Sequence, residues 1–408
     1  MTRRHLRYGA PAALLGIALL ATGCSSNAAN DAAADESPAN SSSEEHAHEG
    51  DQRVAVSYEG GIAVLDGETL ELVEELESEE FTRLNAAGDG RHVFVSTSQG
   101  FQLLDTAEPA LTDLVVPSSA PGHVVRHAGK TVLYDDGASE TTIFDTHDLA
   151  HVEGELPEAI THTSKNAHHG VSIQLEDGTL VTTVGDETSR SGAVALHAHD
   201  DHWDEVASSD QCPGIHGEGT AADEAVVFGC ENGALLYTDG AFTKLEAPDE
   251  YGRMGNAFVS ETSPIVVGDY KSDPDAEGYL LGSVALINTA TEELNVVDLP
   301  ENVRYTFRDV TRGPDDLAYI LSTDGSIHVL DPETGELVDE FPVIDAWEGP
   351  TEWQDAHPAI AGTGGDIAYV TEPAANSVHA VDLTTGEITA TVELDHTPNE
   401  FAVALGEH

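Results

Sequence analysis

Positive charge is what this chain has least of: 16 Lys and Arg stand against 75 Asp and Glu in 408 residues, a formal net charge of −59. A nucleic-acid-binding surface needs clustered basic side chains to displace phosphate counterions, so that class of function is excluded. Cysteine is nearly absent as well, with 3 in the whole chain, and aromatic residues make up 6%. The apolar stretch from Ala10 to Thr22 is too short to span a bilayer. Beyond Arg53 no long amphipathic helical period occurs. What remains is 40% hydrophobic, enough to bury a core and to exclude global disorder. Strong acidity by itself fits a solvated surface of the kind that salty habitats favour. Histidine needs a separate account, because the 20 His outnumber all Lys and Arg.

The N-terminus sets the expected compartment. Arg3, Arg4 and Arg7 precede the apolar stretch, which ends in Ala21-Thr22-Gly23-Cys24. This resembles a bacterial lipoprotein signal, with 1–23 removed and Cys24 lipidated. The expected location is therefore extracytoplasmic, at the cell surface or in the periplasm, with the membrane touched only through the N-terminal lipid. In such an oxidising compartment the remaining pair, Cys212 and Cys230, reads as a disulfide in preference to a Cys-ligated metal. Residues 24–52 read as a tether, rich in Ser, Asn, Ala, Asp and Glu with little to bury. At its far end His46 and His48 form an HxH pair among carboxylates, a donor set that suits zinc weakly and that also arises incidentally.

From 53 to 408 the chain is a series of short β-rich runs with a recurring hairpin: an apolar strand, an Asp/Asn-Thr-Gly type turn, and a second strand. Instances run over 62–76, 101–114, 142–156, 194–206, 235–245, 284–299, 327–341 and 378–394. Eight units over this span average about 44 residues, the size of a four-stranded blade. Inner strands such as HVFVSTSQG (92–100) and AVVFGCENG (225–233) lie between the hairpins. The first unit begins without an innermost strand, and the last strand, EFAVALG (400–406), has nothing after it. An all-β, eight-bladed β-propeller of four-stranded blades follows, the last blade closed by N- and C-terminal strands.

Histidine recurs just before the innermost strands, where a propeller chain reaches one mouth of the central channel. The segments are PGHVVRH (121–127), NAHHGVSI (166–173), CPGIHGEG (212–219), WQDAHPAI (353–360) and LDHTPNEF (394–401). A lone His in such a place is usually a hydrogen-bonded structural residue. Five at matching positions of a closed ring point instead to zinc, which needs three or four N or O donors around one point. Three neighbouring blades supply the preferred trio of His123, His168 or His169, and His216. His357 and His396 are the next candidates, with Asp355, Asp395, Glu218 and Asp309 as carboxylate ligands or partners that hold an imidazole tautomer. His92, His127, His328 and His379 suit sheet faces, His147, His151 and His162 fall near outer turns, and the run His197 to His202 reads as a solvated turn or a peripheral site.

The segments FTRLNAAGDGRHVFVS (81–96), PGHVVRHAGKTVLYDDG (121–137), HHGV (168–171), SDQCPGIHGEG (209–219), VVFGCENG (226–233) and DHTPNE (395–400) resemble the AztD-type zinc metallochaperones over most of the chain. The resemblance implies an eight-bladed propeller that binds Zn2+ near its centre and serves a zinc ABC transporter by passing the ion to its solute-binding protein. It also implies a transfer role for His46 and His48. The family's His-rich loop after the second hairpin is replaced here by Ala107-Glu108-Pro109-Ala110. Two readings from other classes compete. A metal with an open position could activate water in a propeller hydrolase, although no nucleophile elbow is present. The chain could instead be a structural or interaction propeller with incidental histidines, distinguished by retaining no zinc after dialysis.

Overall fold

The computed structural model describes residues 52–186, 188–199 and 202–406. Among them the strands form eight sheets of four antiparallel strands arranged as the blades of a propeller, one of which adds the short strand Gly252–Arg253 in parallel. Blade one covers 84–117, blade two 121–163, blade three 172–209, blade four 216–246, blade five 257–298, blade six 310–342 and blade seven 359–393. Blade eight combines the innermost strand Phe401–Ala404 with three strands between 53 and 77. Cys24, His46 and His48 lie outside the described residues.

The inner strands are apolar without alternation because both of their faces are covered by neighbouring blades. In His92–Thr97, Val93 and Val95 pack with Ala55, Ile62 and Ala402 of blade eight, while Phe94 between them packs with Leu133 and Phe144 of blade two. The two-residue period of a strand sends the side chains to opposite seams. Each such burial contributes about 1.5–3 kcal/mol, so blade contacts dominate stability. Outermost strands carry the acidic surplus, as in the largely exposed LVEELE of Leu72–Glu77.

The outer turns are built as expected. Asp66, Asp105, Asn288 and Asp382 each accept two backbone N–H groups two and three residues on, which replaces backbone pairing in a tight turn. One hairpin departs from the expectation. After Glu140–Asp145 the chain forms a short helix, Thr146–Ala150, and the outer strand is delayed to Ile160–Thr163. Asp145 accepts from the His147 N–H as an N-cap, and Leu149 is buried, so this turn winds inward instead of reversing.

Closure of the ring follows the expected pairing. Arg53 pairs with Ala404 and Val56 with Phe401, and the Ser57 N–H donates to the Glu400 carbonyl at 2.7 Å. The pairing also fixes polarity: Phe401 starts its strand at the mouth where the innermost strands begin, and Arg53 starts at the opposite one.

Candidate metal centre

Three histidines from consecutive blades meet at the mouth where the innermost strands begin. His123 is the third residue of Pro121–His127, His169 precedes Ser172–Gln174 by three residues, and His216 opens His216–Thr220. Ring centroids lie 5.2 Å apart for His123 and His169, 5.3 Å for His123 and His216, and 5.0 Å for His169 and His216. One ring nitrogen from each lies within 4.8 Å of the others, a spacing that a small inward shift converts to tetrahedral zinc geometry.

Two of the rings are oriented from behind. His169 Nδ1 hydrogen-bonds Asp136 Oδ2 at 2.6 Å, and Asp136 Oδ1 accepts the Gly170 N–H at 3.2 Å. His216 Nδ1 donates to the Gly255 carbonyl at 2.5 Å. In both rings Nε2 is left as the lone-pair donor toward the centre, the arrangement that metal-binding imidazoles use. Gly217 makes the second contact possible: its φ is +58°, and a Cβ there would come within 2.3 Å of that same Gly255 carbonyl. The Cys212–Cys230 disulfide braces this loop, since His216 pairs with Gly229 beside Cys230.

The electrostatics favour neutral rings at His123 and His216. Burial, then the adjacent His216 and His169, hold His123 well below the usual imidazole range, with Arg83 and Arg190 adding to the effect. Burial pulls His216 down to about 4, the Gly255 hydrogen bond opposing and His169, Arg253 and Arg190 assisting. Neutral imidazole is the form that coordinates metal, so protons compete weakly at these two positions.

The other candidates lie elsewhere. His168 is buried with both nitrogens engaged: Nδ1 with Ser139 Oγ at 3.0 Å, and Nε2 with Thr183 Oγ1 and the Tyr134 hydroxyl at 3.1 Å each. Of the adjacent pair, His169 is therefore the one that joins the cluster. His357 is buried near Phe307 and Trp347, its Nδ1 donating to the Asp355 carbonyl at 2.7 Å. His396 is exposed and stacks on Tyr58, with centroids 4.1 Å apart. Asp355 is exposed and accepts from the Glu352 and Thr351 N–H groups, and Asp395 is exposed. Asp309 is fully buried and accepts from the Thr306 N–H, and burial pushes Glu218 up to about 7. None of these carboxylates joins the three-histidine group among the described residues. Asp136 and the Gly255 carbonyl, which orient the rings, were not among the sequence candidates; Asp136 sits in YDDG, where it reads only as the end of a strand.

Across the mouth the corresponding positions are charged. Glu400, immediately before the innermost strand of blade eight, pairs with Arg308 at 2.6 Å and with Arg83 at 3.8 Å. A second group, Asp324, His328 and Glu340 in blade six, brings one buried imidazole between two exposed carboxylates. His379 occupies the same register in blade seven and bonds Glu372 and Thr391, so this is a repeated way of seating a buried ring.

No protein-family model matches the chain. The zinc chaperone AztD of Citrobacter koseri is 24% identical over 311 residues, 74% of this chain and 70% of that protein. The chain is AztD-like. The fold agrees with the structure of apo AztD from Citrobacter koseri at a TM-score of 0.71, with 19% identity, covering 88% of this chain and all of that one. A further Citrobacter koseri AztD crystal structure matches at 0.68, with 18% identity, over 87% and 98% of the two chains. The dihydro-heme d1 dehydrogenase NirN also matches at 0.58 with 12% identity, over 87% of this chain and 75% of that one, a likeness of fold alone. The disulfide of this AztD-like propeller fits an oxidising compartment.

Proposed function

We propose that this protein is an extracytoplasmic zinc metallochaperone, anchored through Cys24, that holds Zn2+ on His123, His169 and His216 and passes it to the solute-binding protein of a zinc ABC importer. The observation that carries the reading is the convergence of three imidazoles from three blades, two of them oriented from behind by Asp136 and the Gly255 carbonyl. The similarity to the zinc chaperone AztD supports zinc as the cargo.

His46 and His48, which lie outside the described residues, serve the handover to the solute-binding protein.

The test is metal analysis followed by a zinc competition titration. Wild-type protein is expected to retain one Zn2+ after dialysis, and the His123→Ala, His169→Ala, His216→Ala triple variant none. A His46→Ala, His48→Ala variant is expected to keep its affinity and to transfer zinc more slowly to the solute-binding protein. Retention of zinc by the triple variant would overturn the assignment, and hydrolysis of model esters that tracks zinc content would favour the hydrolase reading.

A further inference from the structure

The three histidines are joined by no fourth protein donor among the described residues. Beside His216 opens a cleft of about 280 Å³, lined among others by Tyr251, Arg253, Asn256, Lys271 and Tyr279. Arg253 and Lys271 are held side by side, because their backbones pair through reciprocal N–H to carbonyl bonds of 2.9 and 3.0 Å. Their side chains donate to carbonyls, Arg253 to Gly214 at 3.3 Å and Lys271 to Ala276 at 2.9 Å. Among the described residues neither forms an ion pair with a carboxylate. The acidic side chain in the lining, Asp269, is buried and already accepts from the Gly255 and Asn256 N–H groups and from Asn256 Nδ2.

Such a cleft is unexpected in a molecule with 75 acidic and 16 basic residues. Arg190, outside the lining, lies close enough to Arg253 for their charges to disfavour each other, with Asp136 and Glu231 offsetting part of the effect. A dication held by the three imidazoles would bring further positive charge to the same place, at a cost that an anion offsets. Zinc with three protein donors takes its fourth from solvent or from an incoming ligand.

We propose that the cleft formed by Arg253 and Lys271 beside His216 binds a carboxylate, which supplies the fourth donor to the metal held by the trio. The inference rests on the zinc reading above. The guanidinium and ammonium groups hold the anion from the side away from the metal, and the tyrosines provide walls of mixed polarity. The site thereby holds metal and carboxylate together, and the carboxylate belongs either to a free small acid or to an acidic polypeptide segment.

The test uses the full chain loaded with Co2+ as a spectroscopic stand-in for zinc, titrated at constant ionic strength with acetate and, separately, with a blocked Glu-Glu-Glu tripeptide. A saturable change in the cobalt d–d bands is expected for the wild type. An Arg253→Gln, Lys271→Gln variant is expected to bind Co2+ nearly as well and to need at least about tenfold more carboxylate. Tighter response to the tripeptide assigns the cleft to a polypeptide; an equal or tighter response to acetate assigns it to a free acid. An unchanged spectrum in the loaded wild type, or the same response in the variant, overturns the proposal while leaving the zinc reading intact. Co2+ binding that survives loss of all three histidines overturns the zinc reading and this inference with it.

Discussion

Replacement of Asp136 by Asn tests whether the three-histidine cluster is built for metal. The carboxylate touches His169 at 2.6 Å and Gly170 at 3.2 Å and is itself 21% exposed at the side chain. Asn keeps the size and one oxygen acceptor but loses the charge that makes the imidazole a better donor. Loss of such a partner typically weakens metal binding by about 10–100-fold, equivalent to about 1.4–2.7 kcal/mol. The stability of the metal-free protein changes much less, by about 1 kcal/mol or under, because the exchanged hydrogen bond is partly in water. Zinc competition titration and metal-free thermal melting measure the two effects separately. Zinc affinity within about twofold of wild type, with His169→Ala showing a large loss, would mean that Asp136 does not tune the ring. Equal losses of melting temperature and affinity would mean that it acts on the fold.

Truncation after Asp395 removes the strand Phe401–Ala404 and the Arg308 partner Glu400, and exposes the edge of Arg53–Tyr58; a loss of at least about 4 kcal/mol, seen as a broadened or absent cooperative melt, is expected. The Cys212–Cys230 bridge closes a separation of 18 residues, so the Cys212→Ala, Cys230→Ala variant should lose about 3 kcal/mol in denaturant melts, and thiol labelling of unreduced, denatured wild type should find neither cysteine. Burial pushes the fully buried Asp309 up to about 8. Its stabilising contribution is therefore complete below the unfolded value near 3.8 and is lost as pH rises through 8, so the Tm advantage of Asp309→Asn should grow by several degrees between pH 5 and pH 9.

The propeller was legible because its physics is local and repeated. An Asx turn needs only an Asp or Asn followed by a polar residue, and an inner strand covered on both faces needs an unbroken apolar run such as Val93-Phe94-Val95. The hairpin placed over 142–156 failed where a helix cap and a buried Leu149 overrode the repeat. His123 and His216 were legible from their place at an innermost strand. Choosing His169 over His168 was not, because the choice depends on Ser139, Tyr134 and Thr183, which satisfy the ring that turns inward. His396 lies five residues ahead of Phe401, far enough for the chain to pass over Tyr58 before turning to the mouth, where Glu400 takes the position. The pairing of Arg253 with Lys271 has no sequence signal at all, being a single bridge from the two-residue strand Gly252–Arg253 to the residue just past Ile265–Tyr270.

The mouth is divided, and under the zinc reading the division has a consequence. Blades two, three and four contribute three clustered imidazoles, whereas on the opposite side Arg83, Arg308 and Glu400 form an ion network near His357, whose buried Nε2 has no hydrogen-bond partner. An ion held on the imidazole side is open to exchange with ligands that arrive over the partly exposed His169 or through the cleft at His216. A closed four-ligand cage would hold zinc as firmly but would release it only by dissociation, which becomes slower as affinity rises. Three oriented donors with one open side separate the two requirements: the partners behind the rings set how tightly the ion is held, and the open side sets how readily another protein can take it.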